Sequence, residues 1–161
     1  MINRIAENAL KRLASQFPVV GITGPRQSGK STLAKMTFPN KQYLSFDDKT
    51  LREIASSNPK DFLLAFPDGA IIDEAQKVPE IFDAVKYYVD SEKSEPGKYI
   101  LTGSSQFKLK ENMSDSLAGR VAFLKLLPFT IEELKSNKIL AKNPYEAMIK
   151  GNYPPLHDVR R

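Results

Sequence analysis

Short apolar runs alternate with amphipathic stretches along this chain. Ile5, Ala9, Leu10 and Leu13 share one helical face, and that helix is expected to end before Phe17-Pro18. Val19 to Thr23 is an apolar run of strand length and predicts a buried strand. The glycine-bounded stretch Gly24 to Gly29 predicts a loop, Ser31 to Phe38 a helix stopped by Pro39, and Gln42 to Phe46 a second strand closed by Asp47-Asp48. The next element assigned begins at Asn58-Pro59-Lys60-Asp61, which has the order of a helix start: a capping residue, a proline in the first turn and an acid at the third position. That helix is expected to run to about Phe66 and to be followed by a turn at Pro67-Asp68-Gly69. Ala70-Ile71-Ile72 predicts a third strand ending at Asp73-Glu74. Pro79 opens a helix with Ile81, Phe82, Val85 and Val89 on one face, and Glu95-Pro96-Gly97 is a turn. Tyr99 to Thr102 predicts a fourth strand, Ser114 to Ala118 a short helix capped by Gly119, and Val121 to Leu127 a fifth strand. Thr130-Ile131-Glu132-Glu133 has capping-box spacing, and Asn143-Pro144-Tyr145-Glu146 starts a last helix that Gly151 ends.

Strands alternating with helices predict an α/β fold with a mostly parallel sheet. Ligands of such sheets sit beyond the carboxyl ends of the strands. The polar residues of this chain gather there: Gly24 after the first strand, Asp73-Glu74 after the third, and Thr102 to Ser105 after the fourth.

Gly24-Pro25-Arg26-Gln27-Ser28-Gly29-Lys30-Ser31 fits G-x-x-x-x-G-K-[ST], between an apolar strand and a helix. The glycines let the backbone wrap a phosphate and aim successive N–H groups at it. The helix that follows presents its partly positive N-terminus to the same anion. In this pattern Lys30 reaches the β- and γ-phosphates, Ser31 offers a hydroxyl to Mg²⁺, and Thr32 is placed at the α-phosphate. Arg26 is either a phosphate neutraliser or a solvated surface residue.

The strand ending in Asp73-Glu74 supplies the second half of such a site. Asp73 is expected to hold Mg²⁺ through its water shell, and Glu74 to polarise a water for attack on the γ-phosphate. A small-molecule kinase has less need of the second acid, so the pair points to hydrolysis. Thr102, Ser104 and Ser105 are hydroxyl candidates for a γ-phosphate or water contact, or for a helix cap. Arg120, in Leu117-Ala118-Gly119-Arg120, is a candidate for stabilising transition-state charge on its own nucleotide or a neighbour's.

Composition narrows the chemistry further. The 161 residues suit one domain, and 41% hydrophobic with 27% charged residues is ordinary globular composition. The absence of cysteine excludes disulfides, thiolate zinc sites and cysteine nucleophiles, and fits a cytoplasmic location. The single histidine, His157, argues against a multi-histidine metal site and a serine–histidine triad. No apolar run has membrane-spanning length, and the N-terminus carries the early acid Glu7 and reads as no signal peptide. The net charge is +5, with ten basic against four acidic side chains in residues 1–60 and fourteen against fifteen in the remainder. A basic first third suits an anionic partner. A DNA partner is an alternative, but no aromatic–basic interleaving or recognition helix carries it.

Taken together, these strings resemble a family. Phe17-Pro18-Val19-Val20 leads into the glycine loop. Ile71-Ile72-Asp73-Glu74-Ala75-Gln76-Lys77-Val78-Pro79 follows, then Ile100-Leu101-Thr102-Gly103-Ser104-Ser105-Gln106-Phe107 and Ser116-Leu117-Ala118-Gly119-Arg120. Over about residues 4–155 the chain resembles prokaryotic ATP-binding proteins of the AAA superfamily that join an AAA-type ATPase domain to a C-terminal domain of unknown function. The resemblance implies a three-layer, AAA/RecA-like P-loop fold with strand order 5-1-4-3-2, and ATP as ligand. It implies Lys30 and Ser31 as nucleotide and Mg²⁺ contacts, Asp73 and Glu74 as Mg²⁺ and water residues, and Arg120 as a γ-phosphate arginine.

The resulting expectation is an ATPase domain over residues 1–150, with 151–161 opening a truncated C-terminal region. ATP binding and hydrolysis would move an attached domain. The alternative is a nucleotide switch with little intrinsic hydrolysis. The missing C-terminal domain and a homo-oligomer are the other expected partners, since AAA-like proteins often form rings.

Overall fold

The structure is a computed structural model and describes residues 2–91, 95–104, 111, 113, 115–141 and 143–157. In its sheet β1 (Val19–Thr23) pairs in parallel with β4 (Tyr99–Gly103) on one side and β5 (Val121–Lys125) on the other. Next to β4 lies β3 (Ala70–Asp73), and next to that β2 (Gln42–Ser45), again parallel. The order β2-β3-β4-β1-β5 is the expected order seen from the opposite edge.

Side-chain alternation along these strands divides the core in two. Val20, Ile22, Ile71 and Ile100 face α1 (Ala6–Ala14) and α2 (Lys30–Thr37), where Leu10, Ala14, Leu33 and Ala34 meet them. Val19, Ala70, Ile72, Tyr99 and Leu101 face the other way. They pack against α3 (Lys49–Ser57), α4 (Pro59–Leu64) and α5 (Glu80–Ser91) through Ala55, Phe62, Leu63, Ile81, Phe82 and Val85. All five residues of β1, all four of β3 and all five of β4 are buried. Continuous apolar runs therefore mark the inner strands, as a sheet covered on both faces requires. Two short α-helices follow β5 among the described residues, α6 (Ile131–Ser136) with its capping box at Thr130 and Glu133, and α7 (Pro144–Lys150).

Three expectations shift. Helix α3 has no counterpart in the sequence reading. Asp48 caps it, its carboxylate accepting from the Thr50 and Leu51 amides at 2.8 and 3.2 Å. Only Ala55 of this helix is buried, but Asp48 followed by Leu51, Ile54 and Ala55 at helical spacing was the available signal. Helix α4 ends at Leu64 rather than near Phe66. Strand β5 stops at Lys125 rather than Leu127, with the Leu126 amide still donating to the Thr23 carbonyl at 2.7 Å. Ser114 of the expected Ser114–Ala118 helix lies outside the described residues. Among the described residues no helix is long and apolar enough to cross a membrane.

Candidate functional site

The carboxyl ends of β1, β3 and β4 lie side by side, and the turn after β1 is the glycine loop. Gly24 and Gly29 adopt φ of +152° and +90°. Gly24 is also a close approach: a Cβ there would sit 2.0 Å from the Leu126 carbonyl oxygen. Gly24→Ala should therefore lower stability by about 3 kcal/mol or more, a fall of roughly 10 °C in Tm for a chain of this size, measured by thermal unfolding. A Tm within about 2 °C of the parent would contradict this packing. Gln27 is left-handed without being glycine, at φ +60°, and so is Glu74 at +54°. Each such residue costs on the order of 1–3 kcal/mol, a strain that tends to accumulate where function demands a shape.

Lys30 opens α2 and is 6% exposed. Its ammonium folds back over the loop and donates to the carbonyls of Gly24 at 3.1 Å and Pro25 at 2.8 Å. Burial pulls its pKa below the ordinary lysine value, while the nearby Glu74 and Asp73 carboxylates push it back up. Ser31 Oγ donates to Asp73 Oδ1 at 2.8 Å, which joins the loop to the end of β3. Thr32, Arg26 and Gln27 are exposed, Pro25 and Gly29 half-buried, and Ser28 buried.

Asp73, 7% exposed, accepts hydrogen bonds from three hydroxyls. Ser31 and Thr102 donate to Oδ1, and Tyr43, from β2, donates to Oδ2 at 2.6 Å. Burial first, and then this hydrogen bond, raises the Tyr43 pKa to about 12. Glu74 follows on the left-handed turn into the short 3-10 segment Ala75–Lys77. Its Oε2 accepts from Ser104 Oγ at 2.9 Å and from Gln76 Nε2 at 2.5 Å. The two hydroxyl candidates thus divide between the acids, Thr102 on Asp73 and Ser104 on Glu74. Ser105 lies outside the described residues.

Arg120 is not brought to this end of the sheet. Its carbonyl accepts from the Val19 amide at the start of β1, so it stands about a strand length, ~16 Å, from the loop of its own chain. Its guanidinium forks onto Asp90 at the end of α5 and donates to the Ala118 carbonyl at 2.8 Å. That hydrogen-bonded pair holds the Asp90 carboxyl below its usual value. Within one copy of the chain Arg120 thus stands at the opposite end of the sheet from the loop, and of the two readings open for it, its own nucleotide or a neighbour's, this distance bears only on the first.

A loop that turns through Gly24 and Gly29, a lysine at its head, and a serine bonded to a strand-end aspartate form the P-loop arrangement. The family described as AAA domain matches residues 16–135, which span the loop, both acids and Arg120. The chain belongs to the AAA domain family.

This AAA domain is 31% identical over 160 residues to an uncharacterized protein of Mycobacterium tuberculosis and equally to one of Mycobacterium bovis. The match covers 98% of this chain and 34% of each relative, so the chain spans about a third of their length. Among solved structures, a Walker-type ATPase of Pyrococcus abyssi superposes with a TM-score of 0.65 at 18% identity, covering 98% of this chain and 66% of that one. A signal transduction ATPase with numerous domains from Pyrococcus horikoshii, carrying a tetratricopeptide repeat sensor, gives 0.60 at 16% identity, with coverage of 95% and 28%. The likenesses to solved structures show the fold alone, a P-loop sheet that in this chain has five parallel strands.

The residues of the AAA domain fit a magnesium nucleotide. The turn at Gly24 leaves no room for a side chain, and the buried Thr23 and Ser28 hydroxyls have no hydrogen-bond partner among the described residues. No group of three metal-ligating side chains occurs among the described residues. Mg²⁺ needs no such group here, because it is commonly held by one or two protein oxygens, substrate phosphates and water. Tyr43 and Gln76 escaped the sequence reading as site residues. Gln76 stands in the Asp73–Pro79 string and was available from it. Tyr43 offered no local signal, since only the pairing of β2 with β3 sets it against Asp73.

Proposed function

We propose that this domain binds ATP with Mg²⁺ and hydrolyses it, and that the cycle drives a conformational change in an attached domain. The observation that carries the reading is the Ser31–Asp73 hydrogen bond at the head of the glycine loop, beside the buried Lys30 ammonium. Ser31 and Asp73 would hold Mg²⁺, which when bound neutralises charge on the β- and γ-phosphates. Lys30 would exchange its carbonyl acceptors for phosphate oxygens. Glu74, oriented by Ser104 and Gln76, would take the proton of the attacking water as the bond from the γ-phosphorus to the β-bridging oxygen breaks and ADP leaves.

The slow-switch alternative has an observation of its own. A single copy brings no guanidinium from position 120 to its own loop. An arginine at the γ-phosphate is worth about 10³–10⁵ in rate, so a single copy should hydrolyse slowly, and a catalytic role for Arg120 requires a neighbouring copy. Arg120→Ala should leave the basal rate of dilute protein within about twofold and remove any acceleration seen on raising protein concentration. A large loss of activity in dilute protein would contradict that assignment.

Ligand, metal and base preference are tested together by thermal shift with ATP, GTP and ADP, each with and without Mg²⁺. A ligand at about 100 times its Kd stabilises by about 2.7 kcal/mol, several degrees in Tm. No shift with any magnesium nucleotide at millimolar concentration would overturn the reading.

A further inference from the structure

Arg4 lies just before α1 and is absent from every motif above, yet its side chain is only 7% exposed. All of its donor nitrogens are engaged. Nε pairs with Glu133 Oε1 at 3.0 Å, Nη2 donates to the Leu127 carbonyl at 2.6 Å, and Nη1 donates to the Ser28 carbonyl at 2.8 Å. The guanidinium also stacks over Phe129, 4.7 Å from the ring centre. Glu133, 3% exposed, accepts in addition from the Ile5 amide at 2.8 Å and the Thr130 amide at 2.9 Å. Three of the four contacts of Arg4 thus fall on residues 127–133, and the fourth on the phosphate loop.

The loop contact is at a telling place. Ser28 sits between the left-handed residues Gln27 and Gly29. A trans peptide is planar with its carbonyl and N–H opposed, so holding the Ser28 oxygen toward Arg4 turns the Gly29 N–H away from it. One guanidinium therefore sets the direction of an amide in the phosphate cradle.

The other end of the clamp reaches the last described segment. The Phe129 amide donates to the Asn152 carbonyl at 2.8 Å, and the Phe129 ring meets His157 edge-on at 5.9 Å. His157 Nε2 bonds the Gly151 carbonyl at 2.7 Å. Pro154 Cγ and Arg4 Nη1 lie 3.6 and 3.5 Å from where a Gly29 Cβ would stand. Burying an ion pair this thoroughly costs desolvation that capping a six-residue helix does not require.

We propose that Arg4 is a positioning residue: it clamps the phosphate loop to residues 127–133, so that binding of a nucleotide polyphosphate and the packing of residues 151–157 are linked. The inference rests on the nucleotide reading above. A planar fork meets three separated partners at once and stacks on Phe129, whereas a lysine's three donors radiate from one nitrogen, so Arg4→Lys is not conservative here. Linkage makes the coupling reciprocal.

The test uses the full 161-residue chain with Mg·ADP and Mg·ATPγS as probes, reading Kd by calorimetry and amide hydrogen exchange across 151–157 by mass spectrometry. In the parent protein, nucleotide should change exchange in 151–157. Arg4→Gln should weaken binding by about tenfold and abolish that response, and Arg4→Lys should do the same in part. Glu133→Gln, which spares the Ser28 contact, should retain more affinity than Arg4→Gln. Phe62→Leu, in the core on the far face of the sheet, serves as a destabilised control and should keep both affinity and response. If Arg4→Gln does not fold, Arg4→Lys decides. Parent-like affinity and exchange response in the Arg4 variants, with the parent binding nucleotide, overturns the clamp alone. An equal loss of both in Phe62→Leu also overturns it, as a general effect of stability. No binding by the parent overturns the nucleotide reading and the clamp with it.

Discussion

Lys30→Ala is expected to abolish measurable ATP binding, a loss of at least about a hundredfold in affinity. The ammonium sits at the head of the loop, nearly buried, and is held by two loop carbonyls that mark where it can turn. Each charge-assisted hydrogen bond to a phosphate oxygen is worth about 1.5–3 kcal/mol, and Lys30 is placed to make two. The fold should survive, because among the described residues the ammonium's hydrogen bonds go to two carbonyls of the glycine loop and to no core side chain. Calorimetry with Mg·ATP on folded protein reads the result. Retained affinity would show that the backbone amides alone hold the ligand.

The second large effect is expected at Glu74. Glu74→Gln should keep Mg·ATP affinity within a few-fold and lower single-turnover hydrolysis by about 10²–10⁴, the usual worth of a positioned general base. Glutamine keeps the shape of the side chain, and its carbonyl oxygen still accepts from Ser104 and Gln76, so the left-handed turn at φ +54° should persist. What is lost is the negative charge that takes a proton from water. Phosphate release by this variant at the parent rate would remove Glu74 from the chemistry. The pair of variants is diagnostic, since Lys30 acts on binding and Glu74 on the step that follows.

Much of this site was legible one segment at a time. Val19 to Ser31 declares strand, loop and helix through apolar burial, glycine conformation and a lysine–serine pair, all within thirteen consecutive residues. Ala70 to Glu74 declares a buried strand with two acids at its end. What these segments needed in order to act was adjacency, and the family resemblance carried the strand order that put them side by side. Helix α3 was missed although Leu51, Ile54 and Ala55 recur at helical spacing, because Asp47-Asp48 reads equally as the end of β2 and the cap role of Asp48 shows only in its bonds to the Thr50 and Leu51 amides. Arg120 was a candidate for its own nucleotide or a neighbour's, and a string carries no information about which end of the sheet it occupies.

By itself, then, the amino-acid order determined the five strands and every numbered helix except α3, and it named the loop lysine, the serine and the two acids. Those features depend on neighbours a few residues apart, where backbone preference and apolar spacing act directly. Only the tertiary structure decided that Tyr43 bonds Asp73 across 30 positions, that Arg4 meets Glu133 across 129, and that Arg120 faces away from its own loop. Such contacts are set by how strands are ordered in the sheet, and hydrogen bonds between distant side chains follow from that order rather than from any local pattern.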